Sequence, residues 1–237
     1  MKRNRFWIVL GFASGTLGVI WLMRRARQTP APWSWTKPIL VRIHGEEIGN
    51  RLVLRAEERY RILLEKRPLT QHRALRRHLT RSILPGLALY QILLEHHRGD
   101  QQVALDEMDQ VFEAWTTGRR INQMVLLHWL PSPFTVFRAA FELLWRTSFP
   151  PEGWGVEWVE NSNRRIAFDI RRCFYKDTLT TYGSPELTSH FCRGDDLLAE
   201  MFPPSIGYRR TTTLGRGGDR CDFRYWNVDR MKESSID

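Results

Sequence analysis

The chain has 237 residues and a formal net charge of +10, and 42% of its residues are hydrophobic. This composition excludes an intrinsically disordered protein, and the length is enough for one sizeable core or two small ones. The positive charge permits an anionic membrane, a nucleic acid or an acidic substrate as partner. The odd number of cysteines, three, argues against a disulfide framework and indicates free thiols in a reducing compartment.

Residues 1–28 have the pattern of a single-pass membrane anchor. The uncharged run 6–23 is flanked by basic residues on both sides, and about 18 apolar residues is the lower limit for a membrane-spanning helix. No small-residue cleavage site follows the run, which favours an anchor over a signal peptide. The flanking charges balance, so the free cysteines decide the predicted orientation, with the main body in the cytoplasm. Residues 29–45, rich in Pro and Trp, are predicted to be a linker.

Residues 46–148 are predicted to be helical, because apolar residues recur there every three or four positions. The predicted helices are Glu46 to Glu65, Thr70 to His97, Asp100 to Gly118, Ile121 to Trp129 and Phe134 to Trp145. Pro85-Gly86 predicts a kink in the second helix, and Asp100 is expected to cap the third. The last two helices are apolar on nearly all sides. We therefore expect them either to be buried in the core or to contact a protein partner or a second copy of the chain.

Two polar clusters in this helical part are candidate binding sites. Arg73, Arg76, Arg77 and Arg81 fall on roughly one helix face, which is either solvated or in contact with anionic lipid. The pair His96-His97 invites a metal, but no further ligand follows at helical spacing, so we interpret it as a helix end. We expect no metal and no other cofactor. No aromatic residues alternate with the basic ones, so we expect no nucleic-acid partner.

Residues 149–227 predict a small antiparallel sheet, and 228–237 a short tail. Apolar and polar residues alternate on both sides of Asn161-Ser-Asn163, and again in Ile206 to Leu214 and Cys221 to Trp226, which flank the turn GRGGDR. Two helices are expected between these hairpins, one directly after Cys173 and one opened by Ser184-Pro185. The predicted fold class is α+β: an anchor, then one domain, residues 46–237, with a helical layer and a small antiparallel sheet.

All three cysteines lie in the last quarter of the chain, each in a short polar motif: RRCFYKD, HFCRGDD and GGDRCDFRY. Such thiols are nucleophiles, metal ligands or buried apolar residues. The chain has no CxxC or CxxH pair, which argues against a common zinc motif. Cys221 shares a strand face with two aromatic residues and is expected to be structural. Cys173 begins a helix, where a lowered pKa would make it the preferred nucleophile.

The segments FDIRRCFYKD, YGSPELTSHFCRGDD, LLAEMFPP and RRTTTLGRGGDRCDFRY resemble the L-2-amino-thiazoline-4-carboxylic acid hydrolase family. The resemblance covers roughly residues 69–226. It implies a hydrolase that acts on carbon–nitrogen bonds in cyclic amidines and uses a small-molecule substrate. Water would add to the amidine-like carbon of the ring, and the ring would open to a carbamoylated cysteine.

A hydrolase of this kind needs a nucleophile or base and a group that holds an anion. The candidate catalytic residues are Cys173, Cys192, Asp196, Cys221 and Asp222. His190 is a further candidate base, and Arg216, Gly217 and Gly218 of the glycine-rich turn are expected to bind a substrate carboxylate. Each base also has a plain structural interpretation, for example an ion pair between Asp222 and Arg224. The alternative function is a non-catalytic, membrane-tethered ligand-binding or assembly protein with the same fold, and a zinc or redox sensor is a weaker third possibility.

Overall fold

The computed structural model describes residues 33–68, 70 and 72–233. Among these residues, no helix combines the length and the apolar character needed to cross a bilayer. The predicted anchor, residues 6–23, lies outside the described residues and stays a prediction.

The first part of the described chain consists of helices. They are α1 (Trp33–His44), α2 (Glu46–Glu65), α3 (Arg73–His78), α4 (Leu84–His96), α5 (Gln101–His128) and α6 (Pro133–Ser148), with a π-helical turn, Leu79–Ile83, between α3 and α4. Leu84, Leu87, Leu89 and Leu93 of α4 are completely buried. Helix α4 is therefore the centre of the helical core, with α2 and α5 packed against it.

Helix α1 occupies the segment that the sequence predicts to be a linker. Its Thr36 and Leu40 are completely buried, and the indole Nε1 of Trp115 on α5 donates a hydrogen bond of 3.0 Å to Thr36 Oγ1. The helix packs against α2 and α5. Residues 33–44, which the sequence analysis assigned to a linker, are thus helical and packed. The pattern did not reveal this helix, because only a few side chains point inward and tryptophans and prolines obscure their periodicity.

Helix α5 begins as predicted and ends later. The side chain of Asp100 accepts a hydrogen bond from Val103 N at 3.2 Å, which confirms the predicted cap. The helix then runs through Gly118, where we expected it to end. A Cβ atom at this glycine would lie 2.4 Å from the indole of Trp35 on α1. Gly118 is therefore used for close packing inside a continuous helix and not for a helix end.

The π-helical turn lies where the kink was predicted. Pro85 is at the start of α4, and proline has no N–H to donate to the preceding turn. The wider turn before it accommodates the missing hydrogen bond, which is a usual way for a helix to continue past such a residue.

The second part of the described chain contains an antiparallel sheet of four strands. They are β1 (Trp154–Asn161), β2 (Arg165–Cys173), β3 (Ile206–Arg209) and β4 (Cys221–Asn227), in the order β1-β2-β4-β3. Helices α7 (Phe174–Thr181) and α8 (Leu187–Glu200) lie between the two hairpins, as predicted, and α9 (Val228–Glu233) follows β4. The α+β class, a helical layer followed by a small antiparallel sheet, is confirmed.

The sheet has two unlike faces. The inner face carries Phe168, Phe223 and Tyr225, whose rings contact Phe141 of α6 or one another. The outer face carries polar residues from the alternate positions of the same strands. β2 and β4 are paired so that Phe168 lies opposite Phe223 and Asp169 lies opposite Asp222. The register therefore brings two carboxylates side by side on the outer face.

Candidate functional site

The three cysteines, separated in sequence, are brought together behind the inner face of the sheet. Cys173 ends β2, Cys192 lies in the middle of α8, and Cys221 begins β4. Each is near enough to another thiol to affect its ionisation. In the described part of the chain they form no group with metal-ligand spacing. We call these three residues the thiol cluster.

The environment of the thiol cluster favours the protonated thiols. Burial raises the pKa of Cys173 to about 11, although the N–H groups of Lys176 and Tyr175 oppose the shift. Burial also raises the pKa of Cys192 to about 12 and that of Cys221 above its usual value. The lowered pKa expected for Cys173 is therefore wrong, because desolvation outweighs the helix N-terminus. Burial thus disfavours the thiolate, the form that a nucleophilic cysteine needs.

A buried arginine that the sequence analysis did not consider lies beside the thiol cluster. The side chain of Arg210 is only 2% exposed and forms ion pairs with Asp195 at 3.0 Å and with Asp196 at 2.8 Å. It also donates to the carbonyl oxygen of Cys192 at 2.8 Å and lies 4.9 Å from the centroid of the Phe223 ring. Burial, the largest single effect, opposes its charge, but Asp195, Tyr208 and Asp196 together outweigh burial and raise its pKa.

Two of the candidate bases, Asp196 and His190, already have a polar partner on a neighbouring element. Asp196 binds Arg210 and accepts a hydrogen bond of 3.0 Å from the hydroxyl of Tyr208. His190 lies 2.6 Å from Asp109 of α5. Both side chains thus connect α8 to neighbouring elements, and the structural interpretation accounts for these contacts.

The glycine-rich turn uses its N–H groups internally. Arg216 N and Gly218 N donate to the carbonyl of Thr213 at 3.1 and 3.0 Å, and Gly217 N donates to that of Leu214 at 3.4 Å. Gly217 has a φ of 84°, and a Cβ atom on Gly218 would lie 2.0 Å from Thr212 Oγ1. The glycines are therefore explained by backbone geometry and close packing. The N–H groups of Arg216, Gly217 and Gly218 are therefore engaged within the turn, and the binding of a substrate carboxylate by these residues stays a prediction.

Asp222 lies on the outer face and is held as a carboxylate. Its Oδ1 accepts hydrogen bonds from Thr211 N at 2.8 Å and Thr212 N at 2.7 Å, and its Oδ2 accepts from Thr211 Oγ1 at 2.5 Å. Burial alone would raise its pKa, but these hydrogen bonds outweigh burial and hold the pKa below its usual range. The side chain is therefore ionised at neutral pH and is a weak base.

Asp169 is the second carboxylate of the outer face, and sequence analysis missed it. It lies opposite Asp222 in the β2–β4 pairing, and each residue is 8% exposed. Its Oδ1 accepts from Arg224 at 2.6 Å, and Arg220 lies 3.4 Å from its Oδ2. The expected ion pair between Asp222 and Arg224 is thus replaced by one between Asp169 and Arg224. Strand alternation would have placed both aspartates on one face, but only the pairing register places them opposite each other.

A cleft of about 380 Å³ opens on the outer face beside Asp222. We call it the arginine cleft; it is lined by Arg165, Arg209, Thr211, Asp222, Arg224 and Trp226. Across residues 33–68, 70 and 72–233, neither Arg165 nor Arg209 has a carboxylate partner within salt-bridge distance. Guanidinium groups bind carboxylates with two parallel hydrogen bonds, and a carboxylate such as Asp222 binds a cationic amidine. The cleft thus offers both signs of charge to one small molecule.

A second cleft, of about 420 Å³, lies between α6 and β1. Its lining includes Trp145, Phe149, Trp154 and Trp158. None of the candidate site residues from the sequence lines it. The arginine cleft is therefore the better candidate for a ligand that carries both a carboxylate and an amidine.

The chain matches a model of a known protein family. The model described as L-2-amino-thiazoline-4-carboxylic acid hydrolase matches residues 76–225. This range is more than half of the chain and contains the thiol cluster and all residues of the arginine cleft except Trp226. No curated protein matches the chain.

Proposed function

Because the chain belongs to the L-2-amino-thiazoline-4-carboxylic acid hydrolase family, we propose that it is a hydrolase that opens a small cyclic amidine or thiazoline. The observation that supports the proposal is the arginine cleft, where an ionised Asp222 lies among three guanidinium groups. The substrate in the family's name carries a carboxylate and an amidine on one small ring. These are the groups that the cleft is equipped to bind.

We assign the substrate carboxylate to Arg165 and Arg209. Both line the cleft and have no carboxylate partner among the described residues, so an incoming anion would not displace an existing ion pair. We assign the amidine to Asp222, because an ionised carboxylate stabilises the protonated amidine and so keeps the ring carbon electrophilic. The indole of Trp226 forms an apolar wall for the ring.

The proposed reaction adds one water molecule. The water oxygen bonds to the ring carbon that carries sulfur and two nitrogens, and a neighbouring water molecule in the open cleft accepts the proton that it loses. The tetrahedral carbon then releases the ring sulfur, which takes up a proton and leaves as a thiol. The product is a carbamoylated cysteine, and no oxidant or reductant is consumed. Negative charge that develops on the leaving sulfur would be stabilised by the guanidinium groups that line the cleft.

The experiment is ring opening of L-2-amino-thiazoline-4-carboxylate by the purified full-length chain, followed by mass spectrometry. Asp222→Asn should reduce turnover by about 100-fold or more, because it removes the charge that holds the amidine. Asp219→Asn is the matched control, since this aspartate lies on the adjacent turn and is 67% exposed. Arg209→Ala should raise KM without a comparable loss of kcat, and circular dichroism checks the folding of every variant.

The variant Cys173→Ser tests whether the reaction takes place in the arginine cleft or at the thiol cluster. We expect it to keep turnover, since its thiol is protonated at neutral pH. Turnover that disappears in Cys173→Ser and persists in Asp222→Asn would transfer the reaction to the thiol cluster. No turnover by a folded wild-type chain would contradict the hydrolase proposal.

The alternative function, a non-catalytic ligand-binding or assembly protein, has one observation in its favour. Val125, Leu126 and Trp129 near the end of α5 are 52%, 43% and 82% exposed, and apolar side chains exposed together are common at protein contacts. Substrate binding without turnover, measured by calorimetry, would favour this function.

We also propose that residues 6–23 hold the protein at a membrane in a single pass, with the main body in the cytoplasm. The support is the uncharged run and its basic flanks. Extraction of membranes with alkaline carbonate tests this: the full chain should stay in the membrane fraction, whereas a chain without residues 1–28 should be released.

A further inference from the structure

Three imidazoles meet at one end of the helical layer, away from the residues assigned to the hydrolase. His44 is the last residue of α1, His96 is the last residue of α4, and His97 follows it. The ring centroids of His44 and His96 are 4.9 Å apart, those of His96 and His97 are 4.9 Å apart, and those of His44 and His97 are 5.8 Å apart. One nitrogen from each ring lies within 4.8 Å of the others. We call these residues the histidine cluster.

A buried carboxylate from α5 holds two of these rings. The side chain of Glu107 is only 8% exposed, and it lies 2.9 Å from His44 Nε2 through Oε2 and 2.9 Å from His97 Nε2 through Oε1. When each Nε2–H donates to this carboxylate, Nδ1 of the same ring is the nitrogen with a free electron pair. A carboxylate that fixes the tautomer and orientation of a histidine in this way is a usual partner of metal-binding imidazoles.

The third ring, His96, lies between the other two. It packs edge-on against both His44 and His97, so the three rings are already in mutual contact. A neutral imidazole is the form that binds metals. The geometry thus collects three imidazole nitrogens next to one buried carboxylate.

We propose that His44, His96 and His97 bind one divalent transition-metal ion of the zinc class, with Glu107 as a positioning residue. Imidazole nitrogens suit zinc, which is bound by four ligands at about 2.0–2.1 Å. Three nitrogens at this distance from a tetrahedral ion are about 3.4 Å apart, so small rotations of the three rings bring them into place. A water molecule takes the fourth position.

The ion would connect α1 to the end of α4, because His44 belongs to α1 and His96 and His97 lie at the end of α4. Glu107 would link the site to a third helix, α5. His44 precedes the matched range 76–225, so the site would fasten α1, which lies outside the family match, onto helices within it. Because only the folded chain brings these residues together, binding stabilises the fold by mass action. The proposal does not depend on the hydrolase function.

The test is a zinc titration of the full-length chain, purified in mild detergent, stripped with a chelator and followed by competition with a chromophoric chelator. We expect one Zn²⁺ per chain and a rise in the melting temperature on adding Zn²⁺. His44→Ala and His96→Ala should each weaken binding by about 100-fold or more and abolish the rise. Glu107→Gln should weaken binding by about 10- to 100-fold. His128→Ala is the matched control, because His128 bonds Met201 O and not the histidine cluster.

Co²⁺ in place of Zn²⁺ gives a second readout. Its visible absorption should show the intensity of a four-coordinate site in the wild type and in His128→Ala, and should be lost in His96→Ala. Circular dichroism shows whether each variant is folded, and His96→Gln replaces His96→Ala if the latter is not. A wild-type chain that binds no Zn²⁺, or one whose affinity is unchanged in His44→Ala and in the His96 variant used, would overturn the proposal. A zinc that is retained by the histidine variants and lost on alkylation of the thiols would do so as well.

Discussion

The guanidinium of Arg210 shows how one residue can organise the inner side of the sheet. It neutralises Asp195 and Asp196 of α8, and it bonds the backbone carbonyl of Cys192 on the same helix. Removing one partner of a buried ion pair leaves an uncompensated charge, which is far more costly than losing an exposed pair. Arg210 therefore fixes α8 against the end of β3, and through α8 it fixes the position of Cys192.

The thiols of Cys173 and Cys192 should react slowly in the folded protein. Their pKa values of about 11 and about 12 leave very little thiolate at pH 7.5, and the thiolate is the reactive form. We expect iodoacetamide to alkylate them only slowly in the folded chain and rapidly in denaturant, with a rate that keeps rising above pH 9. Mass spectrometry of timed samples measures this. Rapid alkylation of Cys173 at pH 7.5 would show an activated thiol and restore it as nucleophile.

The raised pKa values of the thiols also determine whether the stability of the fold rises or falls with pH. In the unfolded chain a thiol ionises with a pKa of about 8.5, whereas in the folded chain it stays protonated to a higher pH. The contribution of thiol burial to stability is therefore complete below pH 8.5 and is lost as the pH rises towards the folded pKa values.

At the scale of elements, strand β4 separates two chemical environments. Cys221 and Phe223 face the apolar interior, and Asp222 between them faces the arginine cleft. Strand alternation makes this separation unavoidable, since adjacent residues point to opposite faces. The candidate residues Cys221 and Asp222 are therefore neighbours in sequence and do not act on one ligand from the same side of the sheet.

Gly207 of β3 makes room for a wall of the arginine cleft. A Cβ atom there would lie 2.0 Å from Cε2 of Trp226, so Gly207→Ala should displace the indole from its position in the cleft. An aromatic contact is worth about 0.5–1.5 kcal/mol, which corresponds to a rise in KM of about two- to tenfold. Steady-state kinetics with L-2-amino-thiazoline-4-carboxylate measure this.

Gly155→Ala is the matched control for this change. Gly155 is also a strand glycine, but a Cβ atom there meets Arg172 Cβ at an ordinary 3.4 Å. An equal KM in both variants would show that Trp226 does not contact the substrate.

At the scale of the whole molecule, helix α1 enlarges the domain beyond its predicted start at residue 46. Leu40 is completely buried in the helical core, and Gly49 of α2 is close enough to α1 that a Cβ atom would lie 2.6 Å from Val41 N. A structural unit that begins at α2 would expose this surface. The domain boundaries proposed from the sequence stay predictions, but the core of the domain includes residues 33–44.

Leu40→Ala should therefore lower the free energy of unfolding by about 2–5 kcal/mol, the usual cost of deleting a fully buried leucine side chain. Urea unfolding of the full-length chain measures this. Leu54→Ala is the matched control, since Leu54 of α2 is 65% exposed and should change the stability by less than about 0.5 kcal/mol. Equal effects of the two substitutions would contradict the packing of α1 into the core.

The sequence by itself determined the parts of this protein that depend on local periodicity. Helices α2 and α6, the Asp100 cap, the two hairpins and the buried face of Cys221 follow from the spacing of apolar residues and from capping chemistry, which act over a few positions. The family resemblance rested on short motifs and was confirmed over residues 76–225. Helix α1 was missed because its few inward side chains leave too little periodic signal.

Tertiary structure alone decided which distant residues meet. The pairing register placed Asp169 opposite Asp222, the packing of α8 buried Arg210, and the ends of α1 and α4 brought His44 to His96 and His97. It also decided the ionisation of Cys173, because burial is set by the whole fold and outweighs the local helix terminus. Local patterns reveal which face a residue occupies, whereas its partners and its dielectric environment depend on segments that are remote in sequence.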